Sequence, residues 1–152
     1  MKNLEIVDAI RGFLAVVWDD APPSDEEMIA ILDRLLAIYH ETSAHYFEAF
    51  EMGEVEPPNQ DFAILEAATA KRFPDYGWYH SIDPLDVYRS ATPANGDAVD
   101  DLADITRDMR DAIWYADNVD TENALFHFHD SYSHWGRHAR DLTRYLFERK
   151  FG

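Results

Sequence analysis

Two histidines one helical turn apart, His134 and His138, stand in the run Ser131-Tyr132-Ser133-His134-Trp135-Gly136-Arg137-His138-Ala139-Arg140-Asp141. Residues at that spacing share one face of a helix. Trp135 lies beside them on the apolar side. The preceding helical pattern carries Asp100-Asp101-Leu102-Ala103-Asp104-Ile105-Thr106-Arg107-Asp108. The residue before each apolar position is Asp101, Asp104, Asp108 and Asp111 in that pattern. In the next it is His127, Ser131, His134, His138, Asp141 and Tyr145. Both polar rows therefore flank their apolar stripe on the same angular side, about 100° away. A short turn at Asn118-Val119-Asp120 makes the two helices antiparallel neighbours, so the aspartate row faces the histidine row. The expected pairs are Asp101 with His138, Asp104 with His134, and Asp111 with His127.

Carboxylates facing imidazoles permit two kinds of chemistry. The plainer is a set of Asp–His hydrogen bonds at the edge of the core, which needs no cofactor. The other is a divalent-metal site with His134, His138, Asp101 and Asp104 as ligands, since imidazoles one turn apart plus carboxylates from a neighbouring helix suit zinc, iron or manganese. The spacing alone favours the first. A single His-x-x-x-His is a common coincidence, and neither Glu-x-x-His on two helices nor His-Glu-x-x-His occurs. The candidate cluster is Asp101, Asp104, Asp108, His134, His138 and Trp135. His129 falls outside the row, and His40 and His45 read as ordinary polar positions. Without cysteine a nucleophile is left to Ser131 or Ser133, and neither sits in a strong turn.

The elements that must position these residues are helical. Ile6, Ile10, Phe13 and Val17 recur at helical spacing over about 3–18, and Asp19-Asp20-Ala21-Pro22-Pro23 ends the run. Ser24 with Glu27 forms a capping box for a second helix with Met28, Ile31, Leu32, Leu35 and Tyr39 inward, extending as far as Phe50. A third covers Asp61 to Arg72 with Phe62, Leu65 and Ala68 inward and stops before Pro74. A fourth runs from Ala98 to Ala116. A fifth, capped by Thr121, runs unbroken to Arg149, burying Phe128, Tyr132, Trp135, Ala139, Leu142 and Leu146. Arg137, Asp141, Arg144 and Glu148 read as its exposed ion-pair face. Asp75 to Gly96 is irregular and aromatic. It either covers one end of the bundle or builds a pocket wall from Tyr76, Trp78, Tyr79 and His80. The expected fold is all-α, an up-down bundle of about five helices in a single domain over 1–152, with a long aromatic-rich connection.

Composition bounds the function. The 152 residues are 47% hydrophobic and 14% aromatic, enough for a folded core. Thirty acids against thirteen bases give a net charge of −17, which argues against nucleic acid or an anionic membrane as partner and permits a basic protein partner or a cation. The absence of cysteine excludes disulfides and thiolate ligands. No apolar run spans a bilayer, and the early acid Glu5 is unlike a secretion signal, so a cytoplasmic location is expected. No phosphate loop, dinucleotide fingerprint or Gly-x-Ser-x-Gly is present. These features fit an interaction or regulatory module with an acidic surface. The alternative is a metal-binding protein or metal-dependent enzyme built on the Asp/His cluster.

The stretch from Val99 to Leu146 resembles a family of small bacterial all-helical domains of unknown function. The matching residues are Asp100-Asp101-Leu102-Ala103-Asp104-Ile105, Arg107-Asp108, and His134-Trp135-Gly136-Arg137-His138-Ala139. Members carry an aromatic where Thr106 stands, a departure that bears on packing. The resemblance implies an all-α fold and no particular activity.

Overall fold

The computed structural model describes residues 2–42, 55–86 and 94–152. Six helices and one small sheet are present among them: α1 (Lys2–Trp18), α2 (Asp25–Glu41), α3 (Phe62–Arg72), β1 (Trp78–Ser81), β2 (Ala94–Asp97), α4 (Ala98–Asn118), α5 (Thr121–Asp130) and α6 (Tyr132–Phe151). The fold is mostly all-α, with six helices where five were expected.

The helix ends follow from local chemistry. Ser24 Oγ accepts from the Glu27 amide at 3.2 Å, and Asp61 Oδ1 accepts from the Ile64 amide at 3.3 Å. Arg72, in the last turn of α3, caps a different helix: its Nε and Nη2 donate to the carbonyls of Val17 and Asp19 at 2.5 and 3.0 Å, where α1 ends. Helix α2 closes at Glu41, with the Thr42 amide donating to Tyr39 O, so it stops short of the expected Phe50. Residues 43–50, including His45, lie outside the described residues.

Helix α4 is the central element. It packs against α1, α3, α5 and α6, while α2 covers α1 and α6. Burial on several sides explains why α4 hides Ala98, Val99, Ala103, Thr106 and Tyr115 as well as the expected Leu102, Ile105, Met109 and Ala112. Thr106 is fully buried and its hydroxyl accepts from the Trp18 indole at 3.1 Å, so the position that departs from the family pattern holds a polar tie to α1. On α3, Leu65 and Thr69 point inward and Ala68 does not; the Thr69 hydroxyl is satisfied by Leu65 O at 2.8 Å.

Three further expectations are corrected by the structure. The segment 75–96 is not irregular throughout: β1 and β2 pair antiparallel, Trp78 opposite Asp97 and Tyr79 opposite Gly96. The last helical pattern is also two helices. Ser131, at φ −86° and ψ 2°, leaves helical geometry, and its hydroxyl turns back onto His127 O at 2.6 Å. The cap of α5 is Asp120, whose Oδ1 accepts from the Asn123 amide at 2.8 Å; Thr121 is the first helical residue.

Candidate metal centre

The α4 and α6 rows meet as the antiparallel register requires. His138 Nδ1 lies 2.7 Å from Asp101 Oδ1, and His134 Nδ1 lies 2.7 Å from Asp108 Oδ2. The remaining ring nitrogens turn toward one carboxylate between them. His134 Nε2 is 3.4 Å from Asp104 Oδ1, and His138 Nε2 is 3.3 Å from Asp104 Oδ2. The expected pairs Asp101–His138 and Asp104–His134 are therefore present, and Asp108 adds a second contact to His134. The two rings lie 4.9 Å apart at a steep angle. Asp101, Asp104 and Asp108 are buried at 4%, 7% and 8% exposure, deep enough that each needs a partner.

The third expected pair does not form a hydrogen bond. Asp111 Oδ1 accepts from Gln60 Nε2 at 2.9 Å, and His127 Nε2 is buried with no hydrogen-bond partner among the described residues. His127 nonetheless stays beside this part of α4: its ring lies 5.7 Å between centres from that of Tyr115, and it opposes the burial that raises the Asp111 pKa. His129 lies outside the row, with Nε2 on Thr42 Oγ1 at 2.7 Å.

Trp135 belongs to the core and not to the cluster. It is fully buried, packs on Phe128 at 4.7 Å between ring centres, and gives its indole hydrogen to Phe128 O at 2.9 Å. The four aromatic-run residues do not form one wall. Tyr76 is buried against Phe73 and beneath Arg149, while Trp78 is 71% exposed. His80 faces a second cleft of about 600 Å³ bounded by β1 and α6, which Tyr79 and Asp141 also line. Trp78 borders the cleft beside Asp101 and His138, and Tyr79 alone of the four bonds to the cluster, donating its hydroxyl hydrogen to Asp101 Oδ2. Ser131 is committed to a backbone carbonyl and Ser133 is exposed, so neither is poised as a nucleophile.

Other residues outside the expected ligand set join the site. Arg107 Nη2 contacts Asp104 Oδ1 at 2.5 Å, and its guanidinium lies over the Phe62 ring. A cleft of about 480 Å³ between α3, the two strands and α6 is lined by Glu66, Tyr79, Asp100, Asp101, His138 and Asp141, among others. Asp141 therefore faces the cluster; the exposed ion pair keeps only Arg144 and Glu148, at 2.8 Å. Spacing on α4 could have flagged Asp100, one turn before Asp104. Nothing in the sequence pattern reports how α3 docks, so Glu66 carried no signal.

Electrostatics bind these groups together. Burial alone would lower the His138 pKa, but the hydrogen bond to Asp101 and the charges of Asp104, Asp101 and Asp100 outweigh it, and the net shift is upward. Burial raises Asp100, with Asp104 adding to it, and raises Asp141, with Asp101 adding to it. With both imidazoles neutral, Asp101, Asp104 and Asp108 exceed the single charge of Arg107 by two. Protons or a divalent cation would offset that excess, to which Asp100 and Asp141 add.

A family described as a domain of unknown function (DUF5063) matches residues 3–151. The chain belongs to that family. This agrees with the resemblance carried by the Asp100–Asp108 and His134–Ala139 motifs. No curated protein matches the chain. Among solved structures, the crystal structure of protein BF1032 from Bacteroides fragilis is similar, with a TM-score of 0.65 over 98% of this chain and 92% of that one. At 19% identity the likeness speaks for the fold alone. Among the described residues no helix is long and apolar enough to cross a membrane.

Proposed function

We propose that this DUF5063 domain binds a divalent transition metal, with His134 Nε2, His138 Nε2 and the Asp104 carboxylate as ligands. The observation that carries the reading is the contrast between two sets of distances. The Nδ1 contacts to Asp101 and Asp108, both 2.7 Å, are hydrogen bonds. The Nε2 contacts to Asp104, 3.3 and 3.4 Å, are too long for charge-assisted hydrogen bonds. Two ligands at about 2.1 Å from a tetrahedral ion lie about 3.4 Å from each other. The two gaps, one to each Asp104 oxygen, therefore have the size of polyhedron edges.

The outer partners support the same reading. A metal-bound histidine normally donates its other ring hydrogen to a carboxylate or carbonyl, which fixes the tautomer. Asp101 and Asp108 are placed to accept that hydrogen, one from each ring. Two imidazoles and a carboxylate, with no thiolate in the chain, suit zinc, iron or manganese over a soft metal. Three protein ligands leave at least one coordination position open, as metal centres that bind a substrate or water require. An acidic surface that recruits a basic protein would account for the net charge, but not for two imidazoles converging on one buried carboxylate.

Elemental analysis of protein purified without a histidine tag, followed by titration with Zn²⁺, Mn²⁺ and Fe²⁺, tests the proposal. One equivalent of metal per chain is expected, and it should vanish in His134→Ala and His138→Ala. Metal-free protein that binds none of the three ions above the level of the variants would end it.

A further inference from the structure

We propose that Tyr79 is a positioning residue for the metal ligand His138, acting through Asp101 and seated by the glycine opposite it on β2. The inference rests on the metal-binding reading above. Asp101 is gripped at both oxygens: Oδ1 by His138 Nδ1 at 2.7 Å, and Oδ2 by the Tyr79 hydroxyl. Helix α4 supplies the carboxylate, α6 the imidazole and β1 the phenol. A carboxylate held at both ends cannot rotate about its last bond without losing a buried hydrogen bond, so the ring it holds keeps its plane. That plane aims His138 Nε2 at Asp104.

The strand pair places the phenol. Tyr79 stands opposite Gly96, and a Cβ at position 96 would come within 2.1 Å of the Tyr79 ring. No side chain can occupy position 96 with the ring where it is, so the glycine is part of the device. Tyr145 flanks the ring at 5.5 Å between centres. The other ligand has a looser support. Among the described residues no second side chain holds Asp108, and His134 is 42% exposed at its side chain against 21% for His138. The hairpin therefore stiffens one arm of the site and leaves the other free to adjust.

Zn²⁺ and Co²⁺ titrations of wild type, Tyr79→Phe, Gly96→Ala and the double variant test this. Loss of an outer hydrogen-bonding partner typically costs about tenfold or more in metal affinity. Tyr79→Phe should weaken Kd about tenfold and shift the visible Co²⁺ absorption, together with a fall in metal-free melting temperature from the Asp101 oxygen left without its partner. Gly96→Ala pushes the ring off its seat and should give the same loss. The double variant should be no weaker than either single one, because both break one link. Wild-type Kd and spectrum in Tyr79→Phe, with metal bound, would overturn the inference while sparing the site. So would losses that add in the double variant, which mark two unrelated structural defects. If Tyr79→Phe does not fold, Gly96→Ala carries the same expectation and the same refutation. A wild-type protein that binds neither ion refutes the metal reading itself, and this inference with it.

Discussion

Replacing His138 with alanine separates a metal ligand from a merely structural histidine. In metal-free protein the change strips Asp101 of one of its two partners at 4% exposure and removes a neighbour of Asp104. A buried acceptor left unsatisfied costs about 1–3 kcal/mol. For a chain of this size each kcal/mol moves the melting temperature by about 2–4 °C, so the metal-free variant should melt about 2–12 °C below wild type. Metal adds a second, larger difference. A ligand at a thousand times its Kd stabilises the folded state by about 4 kcal/mol, or about 8–16 °C here. Thermal melts in EDTA and in excess Zn²⁺ read both numbers. Wild type should gain the full increment with Zn²⁺ and lose it with EDTA, and His138→Ala should respond to neither. An equal Zn²⁺ response in the variant would refute the assignment of Nε2 as a ligand. A variant as stable as wild type in EDTA would refute the burial argument.

Two further outcomes follow from the same geometry. The raised His138 pKa means that the folded metal-free chain holds that proton more tightly than the unfolded chain does. Its contribution is full below the unfolded value of about 6.5 and is lost as pH rises through the higher folded value. His129, lowered by burial, works in the opposite direction, so the readout is the difference between wild type and His138→Ala melting curves in EDTA. That difference should shrink from about pH 6.5 upward; a difference that grows with pH would contradict it. Trp135→Ala should cost about 3–5 kcal/mol, as for other buried aromatics, because the ring is fully enclosed and its hydrogen bond to Phe128 O closes the α5–α6 break. Chemical denaturation checks this, and a loss below about 1 kcal/mol would place Trp135 outside the core.

The parts legible in the sequence are those governed by period and capping. The stripe Leu102, Ile105, Met109 and Ala112 sets the angular position of Asp101, Asp104 and Asp108, and the stripe Trp135, Ala139, Leu142 sets that of His134 and His138. A short turn does the rest. The α5–α6 break was hidden because Ser131 is neither glycine nor proline, and one hydroxyl turning to His127 O leaves no mark on the hydrophobic pattern. The strands were hidden for a different reason. Trp78–Ser81 and Ala94–Asp97 are four residues each, and their pairing is set by tertiary contact, with the Tyr79 ring lying over Gly96. Asp141 stands in the same row as His134 and His138, but Glu66 and Tyr79 reach the cleft through the docking of α3 and β1, which no local pattern encodes. The contrast between 2.7 Å and 3.3–3.4 Å contacts is likewise a three-dimensional fact, and the sequence alone favoured simple hydrogen-bonded pairs.

Anomalous diffraction from crystals soaked in Zn²⁺ tests the central claim most directly. The account predicts one peak per chain at the zinc edge, about 2.0–2.2 Å from His134 Nε2, His138 Nε2 and an Asp104 oxygen, with both Nδ1 hydrogens still on Asp101 and Asp108. No peak there, with the Nε2 atoms drawn in to hydrogen-bond distance of Asp104, would contradict it and leave the cluster as a buried set of Asp–His pairs.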